Sequence, residues 1–141
     1  MSWRKKKMRN KLLGEMERYF GRDARRINHA RRVLGYAEQI LSREKGDGEV
    51  VTAAAILHDI GIHAAEKKHG STAGKFQEIE GPPIADHLLR RAGFPEDKIG
   101  EVLTIIAHHH TPGIVKTTNF KILCDADRLV NLEDEKNSRE G

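Results

Sequence analysis

The chain has 141 residues, 38% of them hydrophobic and 33% charged, which suits one domain with its own core and an ordinary globular composition. No apolar run reaches the length of a membrane-spanning helix, and the basic start is not followed by the apolar stretch of a signal peptide, so no membrane partner and a cytoplasmic location are expected. The net charge of +4 is mild, and the single cysteine, Cys124, excludes an internal disulfide and reads as a small buried apolar residue.

Apolar residues recur at helical spacing, and no segment shows the sustained alternation of a strand. The pattern predicts an all-α fold, a single helical bundle. A first helix is expected over residues 8–20, stopped by Gly21; residues 1–20 thus form a basic segment and helix attached to a main domain at 21–134. A second helix is expected over 23–44, with Asp23 as its N-cap and Ile27, Ala30, Val33, Leu34, Ala37, Ile40 and Leu41 as its stripe. After the loop at 45–48, residues 49–60 are apolar nearly all round and predict the buried central helix. Residues 61–81 read as a long functional loop with one short helix at 73–79. Pro82 and Pro83 then open a helix ending near Gly93. Another begins at Pro95 and ends around His110, and the last runs over 119–132, with a polar tail at 135–141.

The eight histidines are many for this length, and their positions relative to the apolar stripes matter more than their number. His58 and Asp59 fall within the most apolar predicted helix. A buried polar group without a partner costs roughly 2–7 kcal/mol, so this pair needs compensation, either from core hydrogen bonds or from a metal ion. The stripe Ile99, Val102, Leu103, Ile106 continues to His109 and His110, which predicts both as inward and His108 as outward. On the last helix, Phe120, Leu123, Ala126 and Val130 share a face with Asp127, whereas Asp125 lies nearly opposite. His29 sits at the edge of the second stripe, His87 falls outside its stripe, and His63 and His69 lie on the predicted loop. Four separate helices thus each offer an inward His or Asp. Mixed imidazole and carboxylate donors suit Mn, Fe, Zn, Co or Ni better than calcium. No Ser-His-Asp elbow, phosphate-binding loop or dinucleotide turn is present.

In this order, the helix carrying Arg26, His29 and Val33, the run His58-Asp59-Ile60-Gly61, the run His108-His109-His110 and the run Asp125-Ala126-Asp127-Arg128-Leu129 resemble the HD superfamily of metal-dependent phosphohydrolases, of the HDIG type. The resemblance spans residues 19–134. It implies an all-helical bundle, cleavage of a phosphate ester of a nucleotide or related small molecule, and a divalent ion (Mn, Fe, Zn, Co, Ni or Mg), one or two per site. It makes His29, His58, Asp59 and Asp127 the metal ligands, Asp59 being also catalytic through the attacking water. His109, His110 and Glu80 become candidates for a second metal or the phosphate. Lys67, Lys68, Arg128 and His63 are candidates for binding substrate. The chain departs from the branch that cleaves cyclic dinucleotides, with Ile62 after the His-Asp-Ile-Gly run and Thr111-Pro112-Gly113 after the histidine pair. Alternative readings are an HD-fold diiron oxygenase and a non-catalytic nucleotide- or metal-binding module. A nucleic-acid binder ranks last, because the basic runs read as solvated helix faces and a frayed terminus.

Overall fold

A computed structural model describes residues 2–140. Among the described residues there are seven helices and no strand: α1 (Trp3–Phe20), α2 (Ala24–Leu41), α3 (Gly48–Leu57), α4 (Ile62–His69), α5 (Gly74–Ala92), α6 (Glu96–His108) and α7 (Thr118–Glu140). The all-α expectation holds. Among the described residues, no helix is long and apolar enough to cross a membrane.

Four helices start on side-chain caps that take up otherwise orphaned N–H groups, α7 on Thr117, whose hydroxyl accepts from the Phe120 amide at 3.1 Å. Ser2 accepts from the Lys5 amide, Asp23 from Arg26, and Asp47 from Glu49 and Val50. Asp47 also pairs with Lys98 at 2.9 Å, and its own amide donates to Asn119 at 2.8 Å. The short loop before α3 is thereby tied to α6 and α7.

α3 is the hub of the bundle, packing against α1, α2, α6 and α7. Val50, Val51, Ala53, Ala54, Ala55, Ile56 and Leu57 are all buried, as a helix apolar on every side requires. The stripes of the other helices close around it with Leu12 and Met16, Val33 and Leu34, Leu89, Ile105 and Ile106, and Ile122 and Leu123.

The structure corrects several boundaries. α1 begins five residues earlier than expected, at Trp3. The expected loop at 61–81 is mostly helix. α4 has too few apolar residues to show a stripe, but it is closed by Gly70 at φ 69°, whose amide returns to the Glu66 carbonyl, and Lys67, Lys68 and His69 suit the negative end of its dipole. Pro82 and Pro83 lie inside α5 rather than opening it. The buried face of α5, Gly81, Ala85, Leu88 and Leu89, runs past them, so tertiary packing overrides the cost of two missing amides. Residues 135–140, expected as a polar tail, continue α7. Just before this stretch, Arg32 on α2 pairs with Asp134 at 2.7 Å and Glu133 at 3.2 Å. Residue 141 lies outside the described residues.

Candidate metal centre

α3 stops at Leu57, so His58 is its C-cap and Asp59 stands in the turn that follows, not inside the helix. This ending orients the histidine. The last carbonyls of a helix have no amide partner, and His58 Nδ1–H donates to one of them, Ala55, at 2.8 Å. His109, the C-cap of α6, makes the same bond to Ile106 at 2.8 Å. With Nδ1 committed to a carbonyl, Nε2 of each ring is the atom presented to the cluster.

α2 and α7 supply the remaining groups. His29 Nε2 lies 3.1 Å from Asp127 Oδ1 and 3.3 Å from Asp59 Oδ2. His58 Nε2 lies 3.3 Å from His29 Nε2 and 3.4 Å from both Asp59 Oδ2 and Asp127 Oδ1. The other oxygen of Asp59 turns the opposite way, with His109 Nε2 3.4 Å from Oδ1. That contact lacks hydrogen-bond alignment, and His109 Nε2 is a buried polar atom with no hydrogen-bond partner among the described residues. The groups His29, His58, Asp59 and Asp59, His109, His110 each bring ligand atoms close enough to hold a metal ion.

The donor set fits such an ion. Adjacent ligands held at about 2.1 Å are separated by roughly 3.0 Å at a right angle and roughly 3.4 Å at a tetrahedral one, which brackets the contacts around His29 and His58. The electrostatics also favour a cation. Two carboxylates and the negative ends of α3 and α6 converge on one buried point. Burial opposes charge on His58, yet Asp59 and Asp127 raise its pKa to about 9. Burial likewise pushes both carboxyls up. His58 nevertheless holds Asp59, and His29 and His58 hold Asp127, far below the usual carboxylate range.

A cleft of about 650 Å³ opens over the cluster, with His29, Asp59, Asp127 and His110 in its lining. His109 is buried, as its stripe predicts, but His110 is exposed at the cleft rim rather than inward. There its ring lies 3.4 Å from Gln77 Oε1 and its amide donates to Glu78 at 3.1 Å.

Several sequence candidates stand elsewhere. Glu80 does not join the cluster: its carboxylate is taken by Lys68 at 3.0 Å and His69 at 2.9 Å, bonds that tie α4 to α5. Lys68 is thereby engaged, and Lys67 is exposed on α4 without lining the cleft. His63 lines a separate cavity, bonded to Asp23 at 2.7 Å. Arg128 lines a separate cavity with His109 and Asp127. The thiol of Cys124, half-buried rather than buried, is pushed up to about 11 by burial.

The cations that line the cleft are Arg25, Arg26 and Arg32, none of them among the residues the sequence singled out for substrate. Arg26 Nη1 is 3.9 Å from Asp59 Oδ2. Its signal was legible: it precedes His29 by three residues, one helical turn on the same face. Gln77 had none, because the short helix expected at 73–79 shows no apolar stripe that would set its facing.

A model of the HD domain matches residues 26–132. The chain belongs to the HD domain family. HD domain proteins bind divalent metals, in keeping with the two groups that could hold one here. No curated protein and no solved structure matches the chain.

Proposed function

We propose that this HD domain is a metal-dependent phosphohydrolase acting on a small phosphate ester. His29, His58, Asp59 and Asp127 hold one divalent ion, and Asp59, His109 and His110 hold a second. The observation that carries the reading is the two-faced carboxylate of Asp59, one oxygen beside His29 and His58 and the other beside the unpartnered Nε2 of His109. A buried imidazole nitrogen with a free lone pair and no donor is costly unless something ligates it. Divalent ions supply Lewis acidity toward phosphoryl oxygens and lower the pKa of water near neutrality.

The chain's own groups do the rest. Asp59 orients the attacking water through its carboxylate. Arg26, with a side chain only 20% exposed, offers planar N–H donors to the phosphate oxygens. His58 and His109 keep their Nε2 atoms aimed by the bonds their Nδ1–H groups make to helix-end carbonyls. The sequence carries no Ser-His-Asp elbow, and no protein nucleophile is required when water attacks phosphorus directly.

The test pairs metal analysis with phosphate release from a panel of nucleotides and other phosphate esters under manganese. Replacement of Asp59 by alanine should remove both bound metal and turnover. Full metal stoichiometry in Asp59→Ala, or an oxygen-dependent spectrum without phosphate release, would overturn the assignment.

A further inference from the structure

Away from the metal centre, the first turns of α1 concentrate the protein's positive charge. Residues 2–11 carry six cations, Arg4, Lys5, Lys6, Lys7, Arg9 and Lys11, and no acid. The chain has 25 cations and 21 acids, so the residues outside this stretch carry 19 against 21, a net −2. All of the excess therefore lies at one end of one helix. Arg9 is committed to Glu38 at 2.8 Å. Among the described residues, Arg4, Lys5, Lys6, Lys7 and Lys11 have no carboxylate partner.

This end is not frayed: it is helical from Trp3, capped by Ser2. Residues 2–7 are exposed on every side, and cover begins only at Met8. At about 100° per residue, Arg4, Lys5, Lys6 and Lys7 point in four directions around the axis. The placement works against the positive end of the helix dipole, and no acidic residue in the first turn offsets it. An external polyanion relieves that repulsion. Trp3 stands in the same patch, 76% exposed, with the Lys7 ammonium 5.0 Å from its ring centroid.

The all-round charge selects the kind of polyanion. A helix lying on a lipid surface needs a broad apolar face opposite a charged one, and Trp3 alone does not make a face. A duplex groove has phosphates along both sides and room for a helix, which matches cations in every direction. We propose that the N-terminal turns of α1 dock on the phosphate backbone of duplex nucleic acid without reading its bases.

Trp3 is the protein's only tryptophan, so its fluorescence reports from inside the proposed contact. The full-length protein is titrated with a random-sequence DNA duplex, the same duplex as RNA, and phosphatidylserine vesicles, over a range of salt. Binding is expected with Kd of about 10⁻⁶ to 10⁻⁴ M and a log–log salt slope of roughly −4 to −5, as five released counterions require. Combined replacement of Arg4, Lys5, Lys6 and Lys7 by glutamine should weaken binding at least tenfold and bring the slope to roughly −1. Helicity, metal content and phosphate release should stay at wild-type values. No fluorescence change with either duplex, an unaltered slope in the glutamine variant, or tighter binding to vesicles than to duplex would each overturn the proposal.

Discussion

Gly61 follows the His58-Asp59-Ile60 turn and starts α4, and its need for glycine comes from contact rather than backbone angle. Its φ of −85° and ψ of −1° suit any residue. A Cβ there would stand 2.5 Å from the Gly81 nitrogen, 2.7 Å from the Gly81 Cα and 3.0 Å from the Gln77 carbonyl oxygen. Ordinary contact begins at 3.4 Å, so the α4–α5 crossing would have to open by the difference, 0.9 Å at the closest atom. All three neighbours are backbone and no rotamer relieves them. Overpacking of this kind costs about 1–3 kcal/mol, and a clash with backbone belongs at the upper end. Loss of glycine's extra chain entropy returns about 0.5–1 kcal/mol. Gly61→Ala should therefore lose about 2 kcal/mol net, which at an m-value of about 2 kcal/mol/M lowers the urea midpoint by about 1 M. Gly35→Ala is the control. That position is inside α2 with nothing within 4 Å of a new Cβ, and it should gain about 0.5–1 kcal/mol. Urea unfolding followed by circular dichroism measures both. If Gly61→Ala matches or exceeds wild-type stability while Gly35→Ala rises, the close-approach argument is wrong.

Three further outcomes follow from the same geometry. His109→Ala removes the unpartnered Nε2 and leaves His29, His58 and Asp127 in place, so metal analysis should fall from two ions per chain to one; two retained ions would contradict the role given to His109. Arg26→Ala takes a charged donor from the cleft, and a charged hydrogen bond of about 1.5–3 kcal/mol predicts a loss in kcat/KM of about tenfold to a hundredfold, with metal content unchanged. Asp47→Ala removes the α3 cap and the Lys98 pair, at a cost of about 1–2 kcal/mol at neutral pH. Burial pushes the Asp47 carboxyl up, but Lys98 and the Val50 and Glu49 amides outweigh it and hold the group below its ordinary value. A depressed folded pKa gives stability that is present above the unfolded value of about 3.9 and is lost as pH falls through the folded one. The melting curves of Asp47→Ala and wild type should thus be well separated at pH 7 and converge in acid; a constant gap would refute the electrostatic part.

Periodicity alone identified the all-helical class, the hub helix (though not its end at Leu57) and the inward faces of His109 and Asp127, because a stripe is a local property that any window of sequence displays. It failed where local signals are weak or point the wrong way. α4 has too little apolar surface to show a stripe, and Pro82 and Pro83 mimic a helix start within α5. Residues 135–140 look like a tail in sequence and continue α7 beyond the Arg32–Asp134 pair. The site divides along the same line. Which residues face inward was legible from spacing and resemblance, except for His110, which stands exposed at the cleft rim. Only the assembled chain decided that Asp59 serves two sides, that Glu80 is bound to Lys68 and His69, and that Arg25 and Arg26 rather than Lys67 border the cleft. Facing is set by a residue's own helix. Partnership depends on where other helices bring groups from far along the chain, 98 positions away between His29 and Asp127, and that is fixed by packing across the whole bundle.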